Sequence, residues 1–391
     1  MINGAKVLDH SIRWAMVGGG LGSQIGYIHR SAALRDGNFT LVAGAFDINP
    51  ERGIEFGKEL GVEPDRCYPD YKTMFEKEAG REDGIEAVSI ATPNGTHYEI
   101  CKAALNAGVH VVCEKPMCFT TAEAEELNAL AKKNNKIIGI TYGYSGHQMI
   151  QQARQMIKNG DIGDVRVINM SFAFGAYNTK VEETNAAAKW RFDPKKAGIS
   201  AAMGDIGTHP LFIIEAMIPD LKIKQLLCTK QSFIPDRQLE DNAFTIMSLG
   251  SGAHVQEGAQ VYCWSSMINC GARHYHRIRV VGSKASLEWD DERPNQMNYE
   301  IEGEPVRVLE RGAGYLYPEA RVEDRIGGGH AEGLFESWSN LYRRFAIAMD
   351  NADTKEYGDF WYPDGHAGET GIRWLEKCVE SAENGSKWVD F

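Results

Sequence analysis

The sequence predicts an α/β protein of two domains, a parallel sheet covered on both faces and then a region of half-exposed antiparallel strands. Three observations predict it. Up to Tyr144, short apolar runs alternate with amphipathic stretches. Beyond Tyr144 the apolar runs lengthen and alternate with polar residues. And 391 residues exceed what one ordinary hydrophobic core holds, so two domains of usual size are expected.

The elements follow in order. Ile12–Gly18, Phe39–Phe46, Ile85–Thr92, Gly108–Glu114 and Lys136–Tyr142 are apolar throughout, the mark of strands buried on both faces of a sheet. Between them, Pro50–Leu60, Thr96–Ala107 and Thr120–Lys133 carry helical periodicity. Thr120 with Glu123 three residues on fits a capping box at the last of these. A helix over Met149–Asn159 then leads into alternating segments at Val165–Phe174, Ala243–Leu249, Ala253–Trp264, His276–Val281 and Ala285–Trp289. Helices over Glu332–Met349 and His366–Asn384 complete the chain.

Composition narrows the function. The chain is 43% apolar and 25% charged, and its formal charge of −12 argues against a phosphodiester backbone as partner. No apolar run approaches a membrane span, and the opening residues lack the apolar core of a signal peptide. Eight cysteines lie scattered with no CxxC pair, so buried, reduced thiols and a cytoplasmic location are expected.

Four stretches carry chemistry. VGGGLGSQIGYIHR (Val17–Arg30) sets glycines directly after a strand and before a helix, where backbone amides cradle a pyrophosphate. Gly18 and Gly20 fit the dinucleotide spacing, but Ser23 stands where the third glycine belongs, with Gly22 and Gly26 close by. Asp47 ends the second strand, where a carboxylate accepts hydrogen bonds from an adenosine ribose and repels a 2′-phosphate; it also suits an N-cap for the helix entered at Pro50. Arg52 nearby weakens that preference for NAD over NADP. ATPNGTH (Ala91–His97) puts Thr92, Asn94 and His97 beyond a strand end, as ligand contacts or as turn and cap residues. VVCEKPM (Val111–Met117) ends a buried run on Glu114 and Lys115, with Pro116 restricting the exit. In AAMGDIGTHPLFI (Ala201–Ile213), Asp205 and His209 are four apart on one helical face, an acid–base pair or an N-cap beside a core histidine. His274 and His276 could share a strand face as a metal pair, but no third ligand is evident and no metal is expected. Phe335, Trp338 and Tyr342 recur at helical spacing as core residues.

The order VGGGLGSQIG, ATPNGTH, CEKPM and GDIGTH resembles the Gfo/Idh/MocA oxidoreductases over most of the chain. The resemblance implies an N-terminal Rossmann domain (1–144), doubly wound and parallel, that binds NAD, NADP being second choice. It implies a C-terminal α+β domain (145–391), with an open, mostly antiparallel sheet that binds substrate and mediates homodimer or homotetramer contacts. It assigns Gly18, Gly20, Leu21, Gly22, Asp47, Arg52, Thr92, Asn94, His97, Glu114 and Lys115 to the cofactor. Lys115, Asp205 and His209 match the catalytic positions, and Tyr144, Trp190, Arg191 and His330 are substrate candidates. Stretches such as KWRFDP (Lys189–Pro194) look like those of relatives acting on pyranose sugars or their anhydro and glycosidic derivatives. The implied reaction is reversible oxidation of a secondary hydroxyl of a sugar or cyclitol. Two alternatives stand: cleavage of a glycoside through transient oxidation on retained NAD, and a non-catalytic NAD-binding regulator.

Overall fold

The computed structural model describes residues 6–219, 221–352 and 361–391; the first residues of the opening segment therefore lie outside it. The chain divides into two compact units. One comprises Met1–Gly146 and Leu334–Glu369, the other His147–Gly333 and Thr370–Phe391. The sequence reading drew a single boundary near Tyr144, whereas the division also returns a late segment to the first unit.

In the first unit, β1 (Ile12–Gly18), β2 (Phe39–Ala45), β3 (Ala87–Ala91), β4 (His110–Cys113) and β5 (Ile138–Ile140) form one sheet in the order β2-β1-β3-β4-β5. All its pairings are parallel. Every residue of β3, β4 and β5 is buried, which is why those segments read as unbroken apolar runs. The helices are α1 (Gln24–Arg35), α2 (Pro50–Glu59), α3 (Tyr71–Ala79), α4 (His97–Asn106) and α5 (Thr121–Lys133). Thr120 caps α5 with the reciprocal Glu123 bond that its sequence foretells. Order reverses around β1, which lies between β2 and β3, and in such sheets ligands bind beyond the carboxyl ends of the strands at that point.

The second unit opens with α6 (Gln148–Lys158) and β6 (Val165–Ala173). After α7 (Thr208–Met217) come β7 (Ile223–Gln231), β8 (Asn242–Leu249), β9 (Val255–Ser266), β10 (Arg277–Val281), β11 (Ala285–Asp290), β12 (Gln296–Ile301) and β13 (Arg307–Glu310). With β14 (Val389–Asp390) they make a nine-stranded sheet, antiparallel except where β6 runs parallel to β9. The strands β7, β12 and β13 escape a periodicity reading, since their faces carry mixed charged and half-buried positions.

Two long helices follow, α8 (Leu334–Asp350) and α9 (Gly365–Glu383). Trp338, Leu341, Tyr342 and Phe345 of α8 join the buried core of the first unit beside Trp14, Met16 and Phe39. All eight cysteines are free thiols; seven are buried as expected, and Cys270 is exposed. Among the described residues, no helix is long and apolar enough to cross a membrane.

Candidate functional site

Register brings the chemistry-bearing loops of the first unit to one sheet edge. Val17 pairs with Ala45, Gly18 with Ala91, Ile90 with Cys113 and Cys113 with Ile140, so the loops after all five strands leave from the same level. The glycine loop is drawn tight there. Gly18 has φ +76°, and a Cβ on it would fall 2.6 Å from Ala91 O. Gly26, not Ser23, gives the close helix-to-loop approach that the third glycine supplies: its Cβ would fall 2.2 Å from Gly19 O. Ser23 instead caps α1, its hydroxyl accepting from Gly26 N at 3.1 Å. The loop is fixed from behind by Arg30, whose Nη1 donates to Gly19 O at 2.6 Å.

Asp47 stands two residues beyond β2 and does not cap α2. That role belongs to Asn49, whose side chain accepts from Arg52 N. The Asp47 carboxylate accepts from Asn49 N at 2.9 Å and pairs with the exposed Arg52 guanidinium at 3.1 Å. Leu21 and Gly22 lie at the turn of the loop, Leu21 largely exposed. Thr92 and Asn94 are half-buried at the end of β3. His97 is fully buried, with Nδ1 2.7 Å from Pro116 O and Nε2 2.9 Å from Thr92 O, so its ring fastens the loop after β3 to the loop after β4. Burial pushes its pKa down against the pull of the two carbonyls, and a neutral ring donates to one of them.

Glu114 is not a solvated strand end. It is 8% exposed, and its Oε1 lies 3.2 Å from His29 Nε2 and accepts from Thr141 Oγ1 at 2.5 Å. Burial opposes its charge, but the His29 and Thr141 bonds and the charge of Lys115 outweigh it and hold the carboxyl below its ordinary value. Lys115 follows, half-buried, joined to Pro116 by a cis peptide. Tyr144 is the half-buried residue of the turn Gly143–Gly146 that follows β5.

In the second unit, every residue from Ala201 to Ile214 is buried except Asp205 and His209. Both side chains therefore leave a buried segment on one side, as four-residue spacing implies. The segment is not a plain α-helix: Met203–Gly207 forms a π turn that runs into α7, an irregularity frequent at functional sites. Gly204 N bonds to Ser200 Oγ, and buried Glu240 caps the turn by accepting from Ser200 Oγ, Ala201 N and Met203 N. His209 faces Phe172 at 5.8 Å between ring centroids.

Asp205 Oδ2 accepts from Arg191 Nε at 2.8 Å, and the Arg191 guanidinium lies over the Trp190 ring at 4.6 Å. Burial works against the Arg191 charge, but Asp205 and Tyr177 more than offset it and raise its pKa. The segment bearing these residues is anchored by Arg237, which sequence reasoning missed. Its buried guanidinium makes paired bonds to Glu182, bonds to Thr179 O and Asp241, and lies 3.9 Å over the Phe192 ring. His330 stands exposed on a loop, with Nδ1 bonded to Gly327 O; among the described residues, no hydrogen bond or ring contact joins it to Asp205, Arg191 or His209. Arg311 holds that loop through the carbonyls of Ile326, Gly327 and His330. His274 and His276 precede β10 rather than lie on it: His274 pairs with Asp291 at 2.6 Å and His276 stacks on Phe172 at 4.4 Å. Among the described residues, no group of three or more His, Cys, Asp or Glu is suited to a metal ion.

Comparison with known proteins agrees with this geometry on both halves of the chain. The Gfo/Idh/MocA profile described as oxidoreductase family, NAD-binding Rossmann fold, matches residues 12–142. Its companion, the C-terminal alpha/beta domain of the same oxidoreductase family, matches residues 154–391. Among solved structures, an inositol dehydrogenase homolog from Azotobacter vinelandii complexed with NAD+ is 58% identical over the whole of both chains, with a TM-score of 0.95. The same kind of protein complexed with NADH and myo-inositol is 57% identical over the whole of both chains, with a TM-score of 0.92. An uncharacterized oxidoreductase of Bacillus subtilis, YfiI, is 53% identical across the full length of both chains. A glycine cradle at the switch point of a parallel sheet, an E-K-P strand end and a companion unit that the second profile matches from residue 154 onward thus converge, and the chain belongs to the Gfo/Idh/MocA family of NAD-binding oxidoreductases.

Proposed function

We propose that the protein is an NAD-dependent dehydrogenase that oxidises a secondary hydroxyl of a cyclitol or sugar to a ketone, with cyclitols such as myo-inositol the first substrates to test. The observation that carries this reading is the outward pair Asp205 and His209 on an otherwise buried segment, in a chain whose other unit ends a buried strand on Glu114 and Lys115. The preference for a cyclitol rests on the full-length likeness to a protein crystallised with myo-inositol.

Gly18, Gly20, Leu21 and Gly22 with the N-terminus of α1 would hold the pyrophosphate, and Asp47 the adenosine ribose, with Thr92 and Asn94 nearer the nicotinamide end. The bound cofactor supplies the hydride acceptor, so no activated nucleophile is required of the protein. Lys115 donates to the reacting oxygen and stabilises negative charge that develops on it. His209 takes the hydroxyl proton as general base and returns it in ketone reduction. Asp205 steadies the imidazole, and Arg191 serves it as counter-ion. Tyr144 and Trp190 remain candidates for sugar contact; His330, on an exposed loop, is the weakest of the set.

Phe244 and Tyr262, exposed aromatic residues on β8 and β9, support assembly through the open face of the nine-stranded sheet as a homodimer or homotetramer. Light scattering on the purified protein tests this, and a monomer at micromolar concentration overturns it.

The activity test is NADH formation from NAD with a panel of inositols, pyranoses and anhydro sugars. Turnover of at least one polyol is expected. NAD binding without turnover of any member points to the regulator, and release of aglycone without net NADH points to the glycoside-cleaving enzyme.

A further inference from the structure

A run of buried polar groups crosses the core of the first unit and ends on Glu114. Trp14 Nε1 donates to Ser89 Oγ at 2.9 Å; Ser89 Oγ lies 2.7 Å from Tyr342 Oη; Tyr342 Oη lies 2.5 Å from His29 Nδ1. His29 Nε2 then meets Glu114 Oε1 at 3.2 Å. Trp14, His29 and Ser89 are 0% exposed and Tyr342 is 1% exposed, so no solvent completes these bonds.

One arrangement of protons satisfies every group in the run. The Trp14 indole N–H, which only donates, gives to Ser89, and the Ser89 hydroxyl then donates to Tyr342. In the same arrangement Tyr342 donates to His29 Nδ1 and His29 presents an N–H on Nε2 to the carboxylate. An ionised carboxylate only accepts. All groups are satisfied in one direction, and such aligned bonds reinforce one another. An apolar pair at positions 29 and 342 could fill the same core without desolvating polar atoms. The run also spans four separate elements: Trp14 is on β1, Ser89 on β3, His29 on α1 directly after the glycine loop, and Tyr342 on α8.

We propose that Tyr342 and His29 are positioning residues that hold Glu114 ionised and in one orientation, and through it set the Lys115 end of β4 for the cofactor. This rests on the reading of Glu114 and Lys115 as cofactor-side groups.

The test is a double-mutant cycle between His29 and Glu114. His29→Leu is expected to lower kcat by roughly 10–100-fold, the scale seen when an outer partner of a functional group is removed. The KM for the polyol should stay within about twofold, because the substrate groups are untouched. His29→Gln, which keeps an N–H for the carboxylate, should recover part of the loss, and Tyr342→Phe should lower kcat less than His29→Leu. In a Glu114→Gln background, His29→Leu should cost nothing further. Urea midpoints are measured for each variant alongside. Equal losses with and without Glu114, or lowered midpoints with unchanged kcat, overturn the proposal. If no polyol is turned over, the same cycle is read from NAD affinity by quenching of protein fluorescence: His29→Leu should weaken NAD only while Glu114 is present, and additive or absent effects overturn the proposal whatever the reaction proves to be.

Discussion

Replacing Asp47 by asparagine should remove the preference for NAD and leave NADP modestly favoured. The side chain is 16% exposed and carries Arg52 at 3.1 Å, whose own side chain is 60% exposed. A 2′-phosphate seated where a ribose hydroxyl would reach Asp47 places its charge about 5 Å from the carboxylate. With an effective dielectric of about 40, each unit of that charge is repelled by about 1.7 kcal/mol. A phosphate of about −1.5 to −2 charge is therefore disfavoured by about 2.5–3.3 kcal/mol. Arg52 offsets only part of this: solvated, near a dielectric of about 80 and some 6 Å away, it returns about 1 kcal/mol. The net, about 1.5–2 kcal/mol, corresponds to NAD bound roughly 10–30-fold more tightly than NADP. Asp47→Asn keeps an acceptor for Asn49 N and the ribose but removes the charge, leaving Arg52 free to attract the phosphate. The affinity ratio should then move toward NADP by about two powers of ten, the full repulsion removed. Arg52→Ala should move it the other way. Calorimetric titration of both cofactors against the three proteins reads the ratios directly. If the unsubstituted protein binds the two equally, or if Asp47→Asn leaves the ratio unchanged, Asp47 does not meet the ribose.

Lys115→Met keeps the apolar stem without the charge; turnover should fall at least about a hundredfold while NAD still binds, and near-normal turnover would remove Lys115 from the reaction. Oxidation should lose rate as pH falls and His209 becomes protonated, with ketone reduction showing the opposite limb; His209→Asn should abolish that limb and cost roughly 10²–10⁴ in kcat/KM, and a limb that persists unchanged would exclude His209 as the base. A last expectation concerns acid stability. Burial, with help from Lys136, pushes the His110 pKa down to about 3, and its Nδ1 accepts from Ile137 N, a bond that a protonated ring cannot make. A depressed folded pKa means that this contribution is complete above the unfolded value near 6.5 and is lost as pH falls from there toward about 3. His110→Gln should therefore narrow the difference in urea midpoint between pH 7 and pH 4; an unchanged difference would mean that His110 does not set the acid sensitivity.

The first sheet was legible because its strands are buried on both faces and leave no polar alternation to confuse the reading; Thr120 and Glu123 announce α5 for equally local reasons. Local signals also placed the glycine loop, Glu114 and Lys115 at one edge. They erred where a role depends on which residue starts a helix. Ser23 occupies the expected glycine position but acts as the cap, while Gly26, one turn later, makes the close approach. The capping role offered to Asp47 likewise falls to Asn49, two residues on. Spacing alone also could not show that Asp205 sits in a π turn, or that Arg191, read as a substrate contact, is engaged by Asp205. Partners remote in sequence were out of reach: nothing local links His29 to Tyr342, 313 residues away. Tyr342 reads as core, which its ring is; only its hydroxyl says more.

The return of α8 to the first unit has a consequence for how the protein is made. Trp338, Leu341, Tyr342 and Phe345 belong to the core of a unit whose earlier part ends at Gly146. Their burial is worth roughly 6–12 kcal/mol of transfer free energy, comparable to the whole stability of a typical domain. A ribosome that has released Gly146 must still add about 190 residues before that surface can be covered, roughly 10–40 s at usual rates. During that interval the nascent nucleotide unit shows its apolar flank, including the face around Trp14 and Phe39, to whatever is in the cell. Chain synthesis, rather than sheet formation, therefore sets the moment at which this unit can become stable, and a gene truncated before Leu334 would yield a polypeptide with the fingerprint loop intact and its flank permanently bare.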